Sequence, residues 1–439
     1  MRTNTDPEIR KAYSADVSGL IMVPDAVARP TSSDEVVEIL KECATNGTPV
    51  TAAGNQTSTT GASITDKGVL LSLRAMDRIV DVDPRRGTAI VEPGALLGDL
   101  NRAVAQHGLH FAPDPTSMDD VTVGGAIACN ASGARSLLYG ATRPHVRALD
   151  VALASGEIIT VRRSGLDKNT AGYAFAQEPV DWFVGSEGTL GVIVRAEVAL
   201  VPLPARVVGL AIPCPDETSA LALVIAIRES PLRPRCIEYF DPVSLDIALQ
   251  RTGALVYVED ATDAPLDAWL ALAERHGAAD DVEVFEGEAA LREARKFRHA
   301  VPATMNERGA ARRAQGGRKV STDWAVPYAR LAEAIAYARR LVVEARLPQP
   351  AIYGHAGNGH PHENFIANDA EELERIEQVV EATLRHVLTM GGTVSAEHGI
   401  GKIKRRWLPL QASPTQLAVM KAVKRQLDPD WRLAPGNIL

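Results

Sequence analysis

Three histidines, His355, His360 and His362, fall within eight residues of a chain that has only ten. His360 and His362 are two apart, so on an extended strand they share a face. Gly357 and Gly359 separate His355 from that pair, and a turn there can return it to the same point. Imidazoles joined by a carboxylate make a divalent-metal site with positions left open for substrate. The spacing is not that of a helical H-E-x-x-H site, which the chain lacks.

The carboxylate candidate is Glu397, followed at once by His398 and flanked by Gly391-Gly392 and Gly399-Ile400-Gly401. Neighbouring side chains on extended backbone point opposite ways, so one can meet a metal while the other faces a substrate. A histidine beside a polarised hydroxyl is a natural general base near neutral pH. The following Lys402, Lys404, Arg405 and Arg406 read as a solvated surface. A basic run from Lys296 to Lys319 contains Arg298 in an otherwise apolar stretch. A half-buried arginine there calls for a carboxylate, either the protein's own or a substrate's.

A second group of signals is backbone chemistry. Residues 54–193 carry four glycine-rich loops. Glycine allows close approach of N–H groups, and successive amides form nests suited to a pyrophosphate. Neither G-x-G-x-x-G nor G-x-x-x-x-G-K-[ST] is present, which disfavours a Rossmann NAD site and a P-loop. No G-x-S-x-G elbow signals a hydrolase.

The elements that must hold these groups follow from pattern. Thr31-Ser32-Ser33 opens a helix whose stripe is Val36, Val37, Ile39 and Leu40, stopped near Gly47. PVTAAG (49–54) reads as a strand entering the first glycine loop. A hairpin turns at Arg86-Gly87, and LLGDLNRAVAQHG (96–108) is a helix. Residues 121–143 are dense in glycine, alanine and small polar side chains. After Pro204 the glycine loops stop, and strands at 207–214, 235–241, 254–260 and 282–286 alternate with helices. Helices at 328–346 and 370–390 bracket AIYGHAGNGHPHENFI (351–366), two strands around a glycine turn.

The chain has 439 residues and a net charge of −8, which argues against nucleic-acid binding. No apolar run approaches the ~18 residues of a membrane span. Four scattered cysteines give no disulfide framework, zinc knuckle or iron–sulfur motif, and point to the cytoplasm.

Taken in order, PVTAAGNQTSTTGA, VEPGALLGDL, TVGGAIACNASGARSLLYGATRPHVRALDVALASGE and WFVGSEGTLGVI resemble the FAD domain of the vanillyl-alcohol oxidase/p-cresol methylhydroxylase (PCMH) flavoprotein superfamily. The second half, with YGHAGNGHPHENF, SAEHGIG and LDPDWRLAPGNIL, resembles its D-2-hydroxyacid dehydrogenase branch. That branch includes D-lactate dehydrogenases, glycolate oxidase FAD subunits and D-2-hydroxyglutarate dehydrogenases. The resemblance implies an α+β fold: a PCMH-type FAD-binding domain of two subdomains, then an α+β cap domain with an antiparallel sheet. The boundaries expected are an N-terminal segment 1–26, the FAD domain 27–204, the cap 205–390 and a C-terminal segment 391–439 packing back towards the FAD site.

It also implies FAD contacts from Gly54, Asn55, Gln56, Thr57, Ser58 and Gly61, from Pro113, Asp114 and Thr116, from Gly124, Gly125, Asn130, Ser132 and Gly133, and from Glu187, Gly188, Gly191 and Ile193. The family's first loop usually has three consecutive glycines; here it reads Gly54-Asn55-Gln56, so two side chains must point away from the pyrophosphate. No histidine stands at Thr57, so FAD is expected to be non-covalent. By the same resemblance His355, His362 and Glu397 are metal ligands, His398 is the base, and Arg298 and Asn364 contact substrate. The expected metal is zinc, with manganese or iron as alternatives.

The implied reaction is oxidation of a D-2-hydroxy acid to the 2-oxo acid, with hydride passing to flavin N5. An external acceptor is then required: a quinone, a cytochrome, an electron-transfer flavoprotein or an iron–sulfur partner. Two alternatives are another flavoenzyme reaction on the same scaffold and a flavin subunit active only in a larger complex. A homodimer is one oligomeric option, and attachment at the inner-membrane surface is an alternative to the cytoplasm.

Overall fold

The computed structural model describes residues 3–262, 264–278 and 281–439. The chain divides into two units. One comprises Met1–Ser132, Gly140–Leu203 and Glu397–Leu439; the other comprises Gly133–Tyr139 and Pro204–Ala396.

Two sheets organise the first unit. In the smaller, Ala26–Ala28, Val69–Ser72 and Val50–Ala53 run parallel, and Thr3–Asn4 adds an antiparallel edge. The helix Ser33–Thr45 buries Val36, Ile39, Leu40 and Cys43 against this sheet. That i, i+3, i+4, i+7 stripe is why an otherwise polar segment is helical here. Ser32 caps it by accepting from Glu35 N at 3.3 Å. The larger sheet is antiparallel, in the order Ile79–Asp83, Thr88–Val91, Val192–Ala199, Val146–Ala152 and Ile158–Arg162.

The glycine- and alanine-dense stretch contains a helix, Val123–Cys129, that no sequence pattern signalled. Thr122 caps it through Gly125 N, and Asn130 ends it in the left-handed region at φ 50°. A Cβ at Gly124 would stand 2.6 Å from Pro93 Cβ, so glycine marks close packing there, not an irregular backbone.

The second unit is built on a seven-stranded antiparallel sheet. Its order is Glu283–Glu286, Val208–Cys214, Ala254–Asp260, Cys236–Phe240, Ala351–His355, His360–Asp369 and Gly316–Ser321. Phe240, Tyr257, Leu255 and Tyr353 on one face share a core with Leu245 of the helix Pro242–Leu249, and with Ala294, Val301 and Met305 of the helix Gly287–Ala310. Tyr239 points the other way, where its hydroxyl meets Glu217 at 2.5 Å and Arg339 grips Glu217 and Asp241. Under the long helix, three guanidinium groups, those of Arg135, Arg235 and Arg295, converge on the buried Glu259 carboxylate.

The basic run at 296–319 spans three elements. The helix continues through Pro302 to Ala310, Arg312 and Arg313 occupy the following turn, and Gly316–Ser321 becomes the edge strand of the sheet. Among the described residues no helix is long and apolar enough to cross a membrane.

Candidate active site

The histidine hairpin explains its own geometry. Ala351–His355 and His360–Asp369 pair antiparallel, with His355 opposite His360 and Tyr353 opposite His362. Alternation along the second strand puts His360, His362 and Asn364 on one face, the face that His355 also occupies. The turn Ala356–Asn358 closes at Gly359, φ +68°. Gly354 adopts φ +133°, and a Cβ there would meet His362 Cδ2 at 2.9 Å. Only glycine lets the His362 ring lie across that strand.

All three rings are buried, and one ligand nitrogen of each lies within 4.8 Å of the others. Ring centroids are 4.5 Å apart for His360–His362, 5.4 Å for His355–His360 and 5.5 Å for His355–His362. Each ring has an acceptor behind it. His355 Nδ1 lies 2.7 Å from Glu238 Oε1, His360 Nε2 lies 3.1 Å from Asp323 Oδ1, and His362 Nδ1 is 3.5 Å from the Thr322 carbonyl. Behind His355 such backing fixes tautomer and orientation and raises ligand basicity, whereas the approach of His360 Nε2 to Asp323 is not a hydrogen bond. Arg298 descends from the long helix onto the same corner. Its Nε is 2.8 Å from Glu238 Oε2, and its Nη2 is 2.9 Å from His355 Nε2. Because a guanidinium only donates, His355 accepts at Nε2 and carries its proton on Nδ1, towards Glu238. The lone pair of His355 is thus already directed at a cation. This donor set fits a divalent ion.

Burial would raise the Glu238 carboxyl, but its interactions with His355 and Arg298 outweigh it and bring it down to about 2. Glu238 therefore stays ionised throughout the ordinary pH range. On the opposite face of the sheet, burial pushes Glu363 up to about 7 despite a hydrogen bond from Trp324 Nε1 at 3.1 Å. Asn364 is fully buried, and its Oδ1 finds no partner among the described residues.

The flavin-type loops belong to the first unit. Asn55 to Gly61 follow the strand Val50–Ala53, and no protein acceptor among the described residues takes the backbone N–H groups of Gln56, Thr57, Ser58 or Thr59. A row of open amides is an anion nest, which suits a pyrophosphate. Gly54 lies against Thr122, where a Cβ would stand 2.2 Å from the hydroxyl, so this loop abuts the helix Val123–Cys129. Gly185 and Glu187 donate backbone N–H groups to Ile127 and Ala128 of that helix, bringing the Gly185–Gly191 turn alongside. Pro113, Asp114 and Thr116 precede Asp120, whose carbonyl accepts from Asn55 Nδ2 at 2.8 Å. Gly191 packs on Val151, where a Cβ would stand 2.4 Å away, and Ile193 lies in the hydrophobic core. Asn130 Oδ1 caps Arg143 N at 2.8 Å, and Ser132 ends this stretch of the unit. Gly133 begins the short segment assigned to the second unit.

Residues 397–439 complete the first unit. The Glu187 carboxylate accepts from Ile400 N at 2.6 Å and Gly401 N at 2.7 Å, and burial lifts its pKa to about 6. Thr60 Oγ1 donates to the His398 carbonyl at 3.4 Å. Asn437 links three pieces: its Nδ2 donates to the Ala62 and Glu187 carbonyls, and its Oδ1 accepts from Lys402 Nζ at 2.6 Å. The backbone of His398 is thereby tied to the nest-forming loop.

The second unit thus assembles His355, His360, His362, Arg298 and Asn364, while Glu397 and His398 stand on the first. Ala396, the residue before Glu397, donates its N–H to the Asp323 carbonyl at 2.8 Å. Glu238 and Asp323 were missed from sequence. Their signal was a carboxylate inside a short apolar strand, CIEYF, and one directly before a buried tryptophan, Asp323-Trp324.

Comparison with known proteins gives the class, a flavoprotein oxidoreductase. Residues 24–162 match the family described as FAD binding domain, and residues 203–438 match FAD linked oxidases, C-terminal domain. The chain belongs to the FAD-linked oxidase family. It is 31% identical to a D-lactate dehydrogenase of Anaerostipes hadrus, over 94% of this chain and 89% of that one. It is 31% identical to the glycolate oxidase subunit GlcD of Bacillus subtilis, over 98% and 92%. Identity is 28% to a D-2-hydroxyglutarate dehydrogenase of Xanthomonas citri pv. viticola, over 100% and 94%. A solved alkyldihydroxyacetonephosphate synthase shares the fold with TM-score 0.74 at 17% identity, covering 99% of this chain and 83% of that one.

Proposed function

We propose that this protein oxidises a D-2-hydroxy acid to the corresponding 2-oxo acid. The observation that carries the reading is the buried three-histidine face backed by Glu238 and Asp323, in a chain whose relatives are named for lactate, glycolate and 2-hydroxyglutarate. Bound FAD supplies the two-electron acceptor. His355, His362 and Glu397 would hold a divalent ion, zinc by the chemistry of the donor set, which would supply a Lewis acid for the substrate hydroxyl. His360, beside Asp323, would border that ion.

The protein's own work is binding and proton handling. His398 takes the proton of the substrate's 2-hydroxyl. Arg298 receives the carboxylate, exchanging part of its contact with Glu238 for substrate, and Asn364 turns its side-chain amide to the bound acid. The fold of the solved synthase is compatible with other flavin reactions, but the histidine face favours the hydroxy acid. One relative is named as a subunit, which favours an external acceptor protein reached through a larger assembly.

The test is an anaerobic visible spectrum of the purified chain titrated with D- and L-2-hydroxy acids. Bleaching by a D-acid, lost on chelation and restored by zinc or manganese, is expected. A flavin band that no hydroxy acid bleaches would sink the reading.

A further inference from the structure

The loop that should cradle the pyrophosphate carries two bulky residues, Asn55 and Gln56, and both side chains are occupied elsewhere. Asn55 Nδ2 donates to the Asp120 carbonyl at 2.8 Å. Gln56 Nε2 donates to the Tyr13 carbonyl at 3.0 Å and lies 3.4 Å from that of Ser63. Gln56 also holds φ +56°, the left-handed region that disfavours a side chain. A glycine would adopt that backbone at lower cost. The residue present instead offsets its strain with a carboxamide that reaches back to the N-terminal segment.

That segment meets the loop at two further points. Ser63 Oγ donates to Asp16 Oδ2 at 3.1 Å. A Cβ at Gly61 would stand 3.0 Å from Leu20 Cδ1 and 3.8 Å from Ser18 Oγ. The segment is itself anchored. Ile9 of the helix Pro7–Ala12, capped by Asp6, and Tyr13 just after it pack against Val27, Ala53 and Leu70 of the small sheet, and Met22 N returns to the Ser14 carbonyl at 2.8 Å. Residues 13–22 thus meet the loop and its exit at Gln56, Gly61 and Ser63. The family match begins only at residue 24, so this segment lies outside it.

We infer that residues 13–22 are a working part of the FAD site in this chain, coupled to the nest through Gln56. The coupling holds the loop in its amide-forward shape before the cofactor arrives. A tethered loop has less freedom to lose on binding, and that difference reads out as affinity. Gln56 and Asn55 are positioning residues, acting on the cofactor through the backbone they hold. The inference rests on the FAD assignment and is independent of which substrate is oxidised.

The test uses the full chain and FAD itself. Gln56→Leu keeps the bulk and removes the donors; the FAD Kd, read by flavin fluorescence, is expected to rise about tenfold, the loss of one to two net hydrogen bonds. The melting temperature of the FAD-free protein should stay near the parent's while the increment added by FAD shrinks. In the parent, FAD should slow amide hydrogen exchange across residues 13–22, and Gln56→Leu should abolish that protection. Ser63→Ala cuts the second tie alone and should raise the Kd about threefold, which keeps the test open should Gln56→Leu fail to fold. The inference is overturned by an unchanged Kd in the folded variants, or by exchange at 13–22 that ignores FAD. It is also overturned by a Gln56→Gly variant that binds FAD as tightly as the parent. A parent chain that retains no FAD would overturn the cofactor assignment itself, whereas FAD retained without reduction by any hydroxy acid would leave this inference standing and remove only the proposed substrate class.

Discussion

The Glu238 carboxylate lies 2.7 Å from Nδ1 of His355, buried, and is held ionised by that ring and by Arg298. An acceptor behind a ligand histidine fixes which nitrogen faces the ion and strengthens it as a donor. Glu238→Gln should keep the volume and lose the charge. Metal affinity is expected to fall by about 10- to 100-fold, measured as competition with a chelating dye. Unchanged metal affinity would remove Glu238 from that role.

The two histidine roles separate in a single comparison. His398→Ala should leave FAD and metal bound while anaerobic flavin reduction slows by at least about 100-fold, the lower range for a general base. His355→Ala should lose metal and reduction together. Normal reduction in the first variant, or stoichiometric metal in the second, would reassign those residues.

Gly354 is the backbone price of the cluster. At φ +133° and 2.9 Å from His362 through a virtual Cβ, Gly354→Ala is strained twice over. The variant should lose about 1–3 kcal/mol of stability in urea unfolding, and bind metal more weakly than the parent because His362 is displaced. Parental metal binding in the folded variant would show that the ring has another place to go.

Acid stability should report on Glu259. Burial raises its pKa, but Arg135, Arg235 and Arg295 overcome this and lower it from 4.5 to about 2. A depressed folded-state pKa gives stability that is complete above the unfolded value and is lost as pH falls through the folded one. The window is therefore from about pH 4.5 down to about 2, and the contribution is roughly 3 kcal/mol. Glu259→Gln should flatten the acid limb of a stability–pH curve and be destabilised near pH 7, since three guanidinium groups lose their shared anion. A variant with the parental acid limb would contradict this.

Local pattern carried much of the fold. The stripe of Ser33–Thr45, the hairpin at Arg86-Gly87 and the paired strands around Gly357 and Gly359 are written in periods of 3.6 and 2. Chemistry carried by neighbours in sequence, such as His360 with His362, was equally visible. What sequence concealed was chemistry across distance. Glu238 lies 117 residues from His355, and Tyr13 lies 43 from Gln56. Nothing in either local pattern names the other partner. The helix Val123–Cys129 was hidden differently: glycine and alanine carry no amphipathic stripe, and only packing against Pro93 selects helix there.

The clasp at Asn437 also sets a timetable. Its partner carbonyl at Ala62 is made 375 residues earlier. At about 5–20 residues per second, the ribosome needs roughly 20–75 s to add that much chain. During that interval the nest-forming loop exists without its clasp, while Pro204–Ala396 is synthesised without interruption. The unit begun first is the unit finished last, and the nascent chain must keep a half-built cradle from sticking to its neighbours until its final turns emerge.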